Sequence, residues 1–318
     1  MPHVSVCIRT HDRPRELATA IAGVLAGSYQ DFEIVVSDDG PHGEAVVRRF
    51  GDPRVRWYPN EAIGPTANIR SAVSQAHGEL IAVLDDDDRW QPGFLEAVIA
   101  AFRDHPDAGL VFTDHLLEIE DRLVRASPVS ATAGPQPGMP RLLLERSMAL
   151  SAVVMRREVW EQGERDLPLP DFGIGDVTMW LRAAQAGWTF VRVPEPLAVV
   201  RLHRRQMSWA DPAIPARRAA TLRRFAFSDP TAESLRRRRL AEATWEQAGA
   251  ELRSGHPRVA FATARRARAA TPGRVGRREL IALAGVRAAA VRWLSRHPGA
   301  FVAMDAAWQR FRPAVARS

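Results

Sequence analysis

Over its first 120 residues the chain alternates almost wholly apolar runs of strand length with longer stretches patterned for helix. Val4–Thr10, Phe32–Ser37, Val55–Tyr58, Leu80–Leu84 and Gly109–Thr113 read as strands. Arg13–Ala26, Thr66–Ala76 and a segment opened by Pro92 and ending near Arg103 read as helices. Continuous apolar strands need cover on both faces, and strands separated by helices need crossover connections. The expected fold is therefore α/β, a mostly parallel sheet with helices on both faces. Met148–Met155 and Leu197–Leu202 add strands. Glu158–Gln162 and Val177–Ala186 add helices, the second closed by Gly187. The Ala-, Ser-, Pro- and Gly-rich stretch Arg125–Pro140 reads as a mobile surface loop.

Beyond Pro215 the pattern turns helical. Ala241, Trp245, Ala248 and Leu252 recur at helical spacing, Gly255–Pro257 is a turn, and Val259–Ala270 is a second helix. Further helices are expected near Arg278–Arg296 and Ala300–Arg310. Charge divides the chain at about the same place. Residues 217–318 hold 22 arginines against 7 acids, whereas residues 1–216 carry a net charge of −8, within an overall +7. Two modules follow: residues 1–215, and a basic α-helical module over 216–318.

Composition removes whole classes of chemistry. All 44 basic residues are arginine, so P-loop NTPases, protein kinases and Schiff-base enzymes, which need an ammonium group, are excluded. A single cysteine, Cys7, allows no internal disulfide and no cysteine-based zinc cluster. Neither an export signal nor a membrane span is expected, because Arg9, Asp12 and Arg13 interrupt the N-terminus and Arg287 and Arg292 interrupt the apolar stretch near Leu280. A cytoplasmic protein is the default reading. The Arg236–Arg239 run reads as a solvated helix face; a sharper reading is peripheral contact with an anionic membrane surface through 217–318. No nucleic-acid partner is expected, since no aromatic platform or recognition motif accompanies the charge.

The acidic residues point to a site. Asp38 and Asp39 end the second predicted strand, and Asp85, Asp86, Asp87 and Asp88 end the fourth. In open α/β sheets that carboxyl edge binds ligands. Crowded like charges repel unless a cation sits among them, and oxygen-only donors suit Mg²⁺ or Mn²⁺. On a strand, Asp85 and Asp87 face one side. A solvated acidic turn is the plainer alternative, which the apolar run Leu80–Leu84 makes less apt.

Five segments in order resemble glycosyltransferase family 2. They are Val4–Arg13, Phe32–Gly40, Gly78–Trp90 with its DxD pattern, Gly175–Arg182, and Arg201-Leu202-His203. The resemblance covers roughly residues 3–210 and implies a GT-A fold. It also implies metal-dependent, inverting transfer of a sugar from a nucleotide-diphosphate donor, UDP by family habit. The acceptor would be a hydroxyl on a glycan, a lipid-linked sugar or a small molecule. In family terms Thr10 and Asp12 lie by the nucleotide, Asp38 accepts from the pyrimidine N3–H, and Asp85 approaches the ribose. Asp86 is grouped with these donor-binding residues. Asp87 binds Mn²⁺ or Mg²⁺ bridging the diphosphate, and His203 contacts the metal or the diphosphate. Asp176 is the general base for the acceptor hydroxyl; its plainer reading is a helix N-cap. Two departures stand out. Ala67 replaces the arginine that usually precedes Asn68, leaving Arg70 as the nearby diphosphate contact, and Pro41 replaces the serine after Gly40. Two other readings remain: a degenerate transferase kept as a binding subunit, and a sugar-nucleotide pyrophosphorylase. The second is disfavoured by the lack of lysine and of a Gly-rich N-terminal loop.

Overall fold

A computed structural model of the chain describes residues 3–120, 122–126, 129–130, 132–137, 139–145, 148–164, 175–203 and 213–270. The expected helices near Arg278–Arg296 and Ala300–Arg310 lie outside the described residues. The chain divides into two compact units. One comprises residues within 1–118, 123–201 and 220–239, and the other those within 119–122, 202–219 and 240–318.

The first unit is built on β1 (Val4–Thr10), β2 (Phe32–Asp38), β3 (Val55–Pro59) and β4 (Leu80–Asp85), which run parallel. β1 lies between β2 and β4, so both its edges are paired, and its residues are buried on both faces. Val4, Val6, Ile8, Ile34, Val36, Ala82 and Leu84 are all buried in one core cluster. Helix α1 (Pro14–Leu25) starts on a proline, whose missing N–H costs nothing in a first turn. It turns Leu17, Ala20, Ile21 and Val24 inward at helical spacing. α2 (Gly43–Phe50) follows β2, and α3 (Pro65–Ser74) follows β3. α4 (Phe94–Asp104) follows the two-residue strand β5 (Arg89–Trp90) and buries Phe94, Val98, Ile99 and Phe102.

The sheet continues through β6 (Ala108–Ile119), β7 (Arg122–Arg125), β8 (Gly134–Pro135), β9 (Val153–Arg156) and β10 (Thr189–Leu202). Strand order is β3-β2-β1-β4-β9-β6-β10-β5, with β7 on β6 and β8 on β10. β9 is antiparallel to both β4 and β6, so the 3₁₀ turn Leu150–Ala152 before it is delivered to the edge where β4 ends. Between lie α5 (Met139–Glu145), α6 (Arg157–Glu164) and α7 (Gly175–Gln185). The stretch expected as one loop, Arg125–Pro140, thus holds the end of β7, all of β8 and the start of α5.

These later strands are tied by a buried ion pair. Arg192 of β10 donates from Nε and Nη2 to Asp114 of β6 at 2.9 and 2.8 Å, and Arg125 donates to the same carboxylate at 2.9 Å. Asp114 and Arg192 are only 3% and 5% exposed. Breaking a pair this deep strands a charge without solvent. Asp114→Ala is therefore expected to cost about 3–5 kcal/mol, read as a lowered midpoint in equilibrium urea unfolding.

α8 (Ile214–Arg224), α9 (Pro230–Arg253) and α10 (Pro257–Ala270) match the helical pattern expected after Pro215. The arginine run on α9 is more than a solvated face. Arg236 forks onto Glu233 at 2.7 and 2.6 Å and donates to the Leu222 carbonyl. Arg237 also reaches Glu233, whose carboxyl these partners, Arg236 foremost, hold down at about 2. Arg239 donates to the carbonyls of Leu144 and Glu145, capping the last turn of α5. Among the described residues no helix is long and apolar enough to cross a membrane.

Candidate functional site

β1, β2 and β4 finish level: Thr10 pairs with Asp38 in register, and Arg9 with Asp85. The polar residues that close the three strands therefore meet on one edge. Gly40 comes so close to the β1–α1 turn that a Cβ there would sit 2.8 Å from Asp12 Oδ1. Asp12 itself adopts a left-handed backbone, φ 53°, which turns the chain into α1. Its carboxylate stays about half exposed beside His42, at 3.9 Å.

The two acids after β2 do different work. Asp38 is 1% exposed and both its oxygens are taken: Oδ1 by the Gly40 N–H at 2.9 Å, Oδ2 by the Gly43 N–H at 2.8 Å and Trp57 Nε1 at 3.2 Å. It clamps the β2–α2 loop, and a Cβ at Gly43 would collide with it. Asp39 accepts from the Gly64 N–H on Oδ2, at 2.9 Å. Its Oδ1 is buried and has no hydrogen-bond partner among the described residues. A buried, unpaired carboxylate oxygen is costly and calls for explanation. At this strand end Asp39 Oδ1 is thus the buried oxygen without a partner, while Asp38, which the resemblance assigns to the pyrimidine N3–H, is held by Gly40, Gly43 and Trp57.

The acidic tetrad separates in the same manner. Asp85 accepts from Arg9 Nε and Nη2 on one oxygen, at 2.9 and 2.8 Å. Asp86 is buried and accepts from Thr10 Oγ1 at 2.8 Å and Arg13 Nη1 at 3.0 Å. Burial pushes its carboxyl up to about 6 against the pull of Arg13. Asp87 accepts from the same Arg13 nitrogen at 2.7 Å. Asp88 turns inward, accepting from Ser151 Oγ at 2.6 Å and the Arg201 N–H at 2.9 Å. Burial, then the charges of Asp85 and Asp87, raise its carboxyl well above the ordinary range. Trp90 stacks on Phe94 and donates to the Ser151 carbonyl at 2.7 Å, which makes it a packing residue.

Asp176 lies in the first turn of α7, half-buried, and accepts from the Val177 N–H at 2.8 Å. Burial lifts its carboxyl to about 6; Asp85 pushes the same way and Arg9 opposes. Asp176 is thus within electrostatic reach of the β1 and β4 ends. Trp180, one turn later, is fully buried core. Arg70 stands half-buried on α3, and His203 follows β10 in the second compact unit. The contributions that sequence reasoning missed are those of Arg9, Arg13, Asp39 and Ser151. Ser151 carried no signal, since it reaches Asp88 across 63 positions.

Among the described residues no three His, Cys, Asp or Glu side chains gather into a ready metal cage. A small hard dication is commonly held by one or two carboxylates, with substrate phosphates completing its shell. Asp85, whose second oxygen takes no hydrogen bond among the described residues, and Asp87 fit that manner of binding, with the Arg13 guanidinium already showing that a cation is accepted there.

Residues 5–123 match the model of glycosyl transferase family 2. Over that segment the chain is similar to glycosyl transferase family 2. It is 32% identical over 129 residues to the GalNAc(5)-diNAcBac-PP-undecaprenol beta-1,3-glucosyltransferase of Campylobacter jejuni, covering 39% of this chain and 41% of that protein. It is 31% identical over 100 residues to the Escherichia coli UDP-Glc:alpha-D-GlcNAc-diphosphoundecaprenol beta-1,3-glucosyltransferase WfgD, covering 30% of this chain and 40% of that protein. The chain thus spans about two fifths of the length of these two relatives. The structural likeness extends further. The structure of Staphylococcus aureus TarS 1-349 in complex with UDP-GlcNAc superposes with a TM-score of 0.63 at 14% identity, over 84% of this chain and 89% of that one. Mannosyltransferase PcManGT from Pyrobaculum calidifontis, in complex with GDP-Man and Mn²⁺, gives 0.57 at 19% identity, over 91% and 81%. The fold of the chain is GT-A.

Proposed function

We propose that the chain is a metal-dependent, inverting glycosyltransferase that moves a sugar from a nucleoside-diphosphate donor to an acceptor hydroxyl, with its machinery in residues 1–215. The observation that carries this reading is a division of labour at one sheet edge. Asp85 and Asp87 offer carboxylates at the end of β4, while Asp176, on a separate helix, is held near pH 6, the range suited to a general base.

Asp87, with Asp85 beside it, would hold Mn²⁺ or Mg²⁺. When bound, that ion supplies Lewis-acid stabilisation of the departing diphosphate. Thr10, Asp12, Asp85 and Asp86 line the nucleotide side, and Arg70 is the α3 arginine nearest the absent family position. Asp39 Oδ1, which has no partner of its own, accepts from the base in place of Asp38, which is already held by three donors; this favours a ring N–H such as uracil or thymine N3–H. Asp176 takes the proton from the attacking hydroxyl. A lipid-linked acceptor is favoured by the relatives whose names specify undecaprenol diphosphates. Such an acceptor places the work in the cytoplasm, at the inner face of the membrane.

Thermal unfolding with UDP, dTDP, CDP and GDP, each with and without Mn²⁺, tests the donor site. UDP or dTDP with Mn²⁺ should raise the midpoint by several degrees, about what occupancy at a hundredfold excess over Kd gives, and EDTA should reverse it. Absence of a metal-dependent shift with every diphosphate would defeat the proposal.

A further inference from the structure

Arg13 precedes α1 at its N-cap and is engaged through one nitrogen. Nη1 donates to Asp86 Oδ1 at 3.0 Å and to Asp87 Oδ2 at 2.7 Å. Among the described residues its Nε and Nη2 find no hydrogen-bond partner, and the side chain is 35% exposed. A guanidinium carries five N–H donors in a rigid fork that matches two oxygens of a phosphate. Three of those donors remain unused here, on a cation held at the mouth of the acidic turn.

The anchoring is unequal. Asp86 is buried and fixed from its other oxygen by Thr10, so it can hold Arg13 whatever happens at Asp87. Asp87 is the carboxylate assigned to the dication, and two cations cannot both keep it at full strength. Charge also needs balancing. A nucleoside diphosphate brings more negative charge than one dication neutralises, and Ala67 stands where the family usually supplies an arginine.

We propose that Arg13, tethered by Asp86, is the second cation of the donor site and binds the diphosphate. In the free protein it bridges Asp86 and Asp87. In the donor complex it keeps Asp86, releases Asp87, and gives its free donors to a phosphate oxygen. This rests on the glycosyltransferase reading above, and deepens it by naming the residue that replaces the missing arginine. Asp86 is then a positioning residue, which accounts for a fourth acid in the tetrad that neither faces a metal nor closes the turn.

Calorimetry with UDP and Mn²⁺, together with electron paramagnetic resonance of Mn²⁺ alone, separates the possibilities. Arg13→Gln should lose about ten- to a hundredfold in UDP affinity in the presence of Mn²⁺, the weight of a charge-assisted contact. The same variant should bind Mn²⁺ alone at least as tightly as wild type, because Asp87 has lost its competitor. Arg13→Lys should recover part of the UDP affinity, having the charge without the fork. UDP binding by Arg13→Gln within about twofold of wild type would overturn the proposal. So would a parallel loss of Mn²⁺ alone, which would mark Arg13 as a shaper of the turn. Circular dichroism of both variants guards against unfolding, and Arg13→Lys carries the test if Arg13→Gln fails to fold. If wild type binds no nucleoside diphosphate at all, the glycosyltransferase reading falls with it; if only the variants behave as wild type, this inference falls alone.

Discussion

Asp87→Asn is expected to abolish metal-dependent nucleotide binding while leaving the fold in place. Asparagine keeps the shape of the side chain and one carbonyl oxygen, so the turn after β4 loses little packing. What it loses is the negative charge that attracts a dication. Removing a residue that merely supports a metal ligand typically costs 10- to 100-fold in affinity; a charged ligand itself should cost more than about a hundredfold. The loss should appear in Mn²⁺-dependent UDP affinity by calorimetry, with little change in unfolding midpoint. The neighbouring acids sharpen the expectation. Asp88 has both oxygens bound to Ser151 and the Arg201 N–H, and Asp86 is bound to Thr10 and Arg13. Neither can replace Asp87 without dismantling its own contacts. If Asp87→Asn binds UDP and Mn²⁺ as wild type does, the assignment of the dication to this turn is wrong.

The sheet was legible where burial dictates sequence. β1, β2 and β4 are covered on both faces, so their residues are apolar almost without interruption and fall within a residue of the expected ranges. β10 was read as Leu197–Leu202 but runs from Thr189, because Pro194 and Pro196 speak against a strand. Its partners change along its length: β8 pairs at Val191 and Arg192, and β5 at Ala198 and Val199. A strand held by short, shifting partners leaves little periodic trace. α2 was missed because it has eight residues, opens on a glycine and buries only Gly43 and Val46 fully. The run Arg125–Pro140 looked like loop because its order depends on a distant residue. Arg192 donates to the Thr132 carbonyl at 3.0 Å and grips Asp114 at the same time.

The candidate site shows a different limit. That acids cluster at the ends of β2 and β4 is a matter of strand periodicity, and the sequence carries it. How each carboxylate is used depends on partners that come from elsewhere in the chain. Asp38 has a donor on each oxygen, from Gly40, Gly43 and Trp57, while Asp39 next door keeps a buried oxygen without a partner. Asp86 and Asp88 differ in role because Thr10 with Arg13 meets one and Ser151 with the Arg201 backbone meets the other. Neighbours in sequence are told apart only by three-dimensional contacts of this kind.

Asp176→Asn should separate catalysis from both binding and stability. If Asp176 is the general base, the amide cannot take the acceptor proton. Turnover should then fall about a hundred- to ten-thousandfold, while UDP–Mn²⁺ affinity stays near wild type. The wild-type pH profile should carry the signature of the same carboxyl. Its ionised form is the active one, so turnover should rise with pH through about 6 and then level, and the residual activity of Asp176→Asn should lack that limb. Stability should move in the opposite sense. A carboxyl raised from 3.8 to about 6 binds its proton more tightly folded than unfolded, so its contribution is greatest at low pH and is lost as pH climbs through that window. Above it the folded protein carries an ionised carboxylate that burial and Asp85 both disfavour. The neutral amide removes that cost, and Asp176→Asn should melt higher than wild type at pH 7.5. Loss of turnover joined to gain of stability is expected of a charge kept for chemistry. A helix cap with no other role would lose stability on substitution and leave the pH profile unchanged, and that pair of results would refute the assignment.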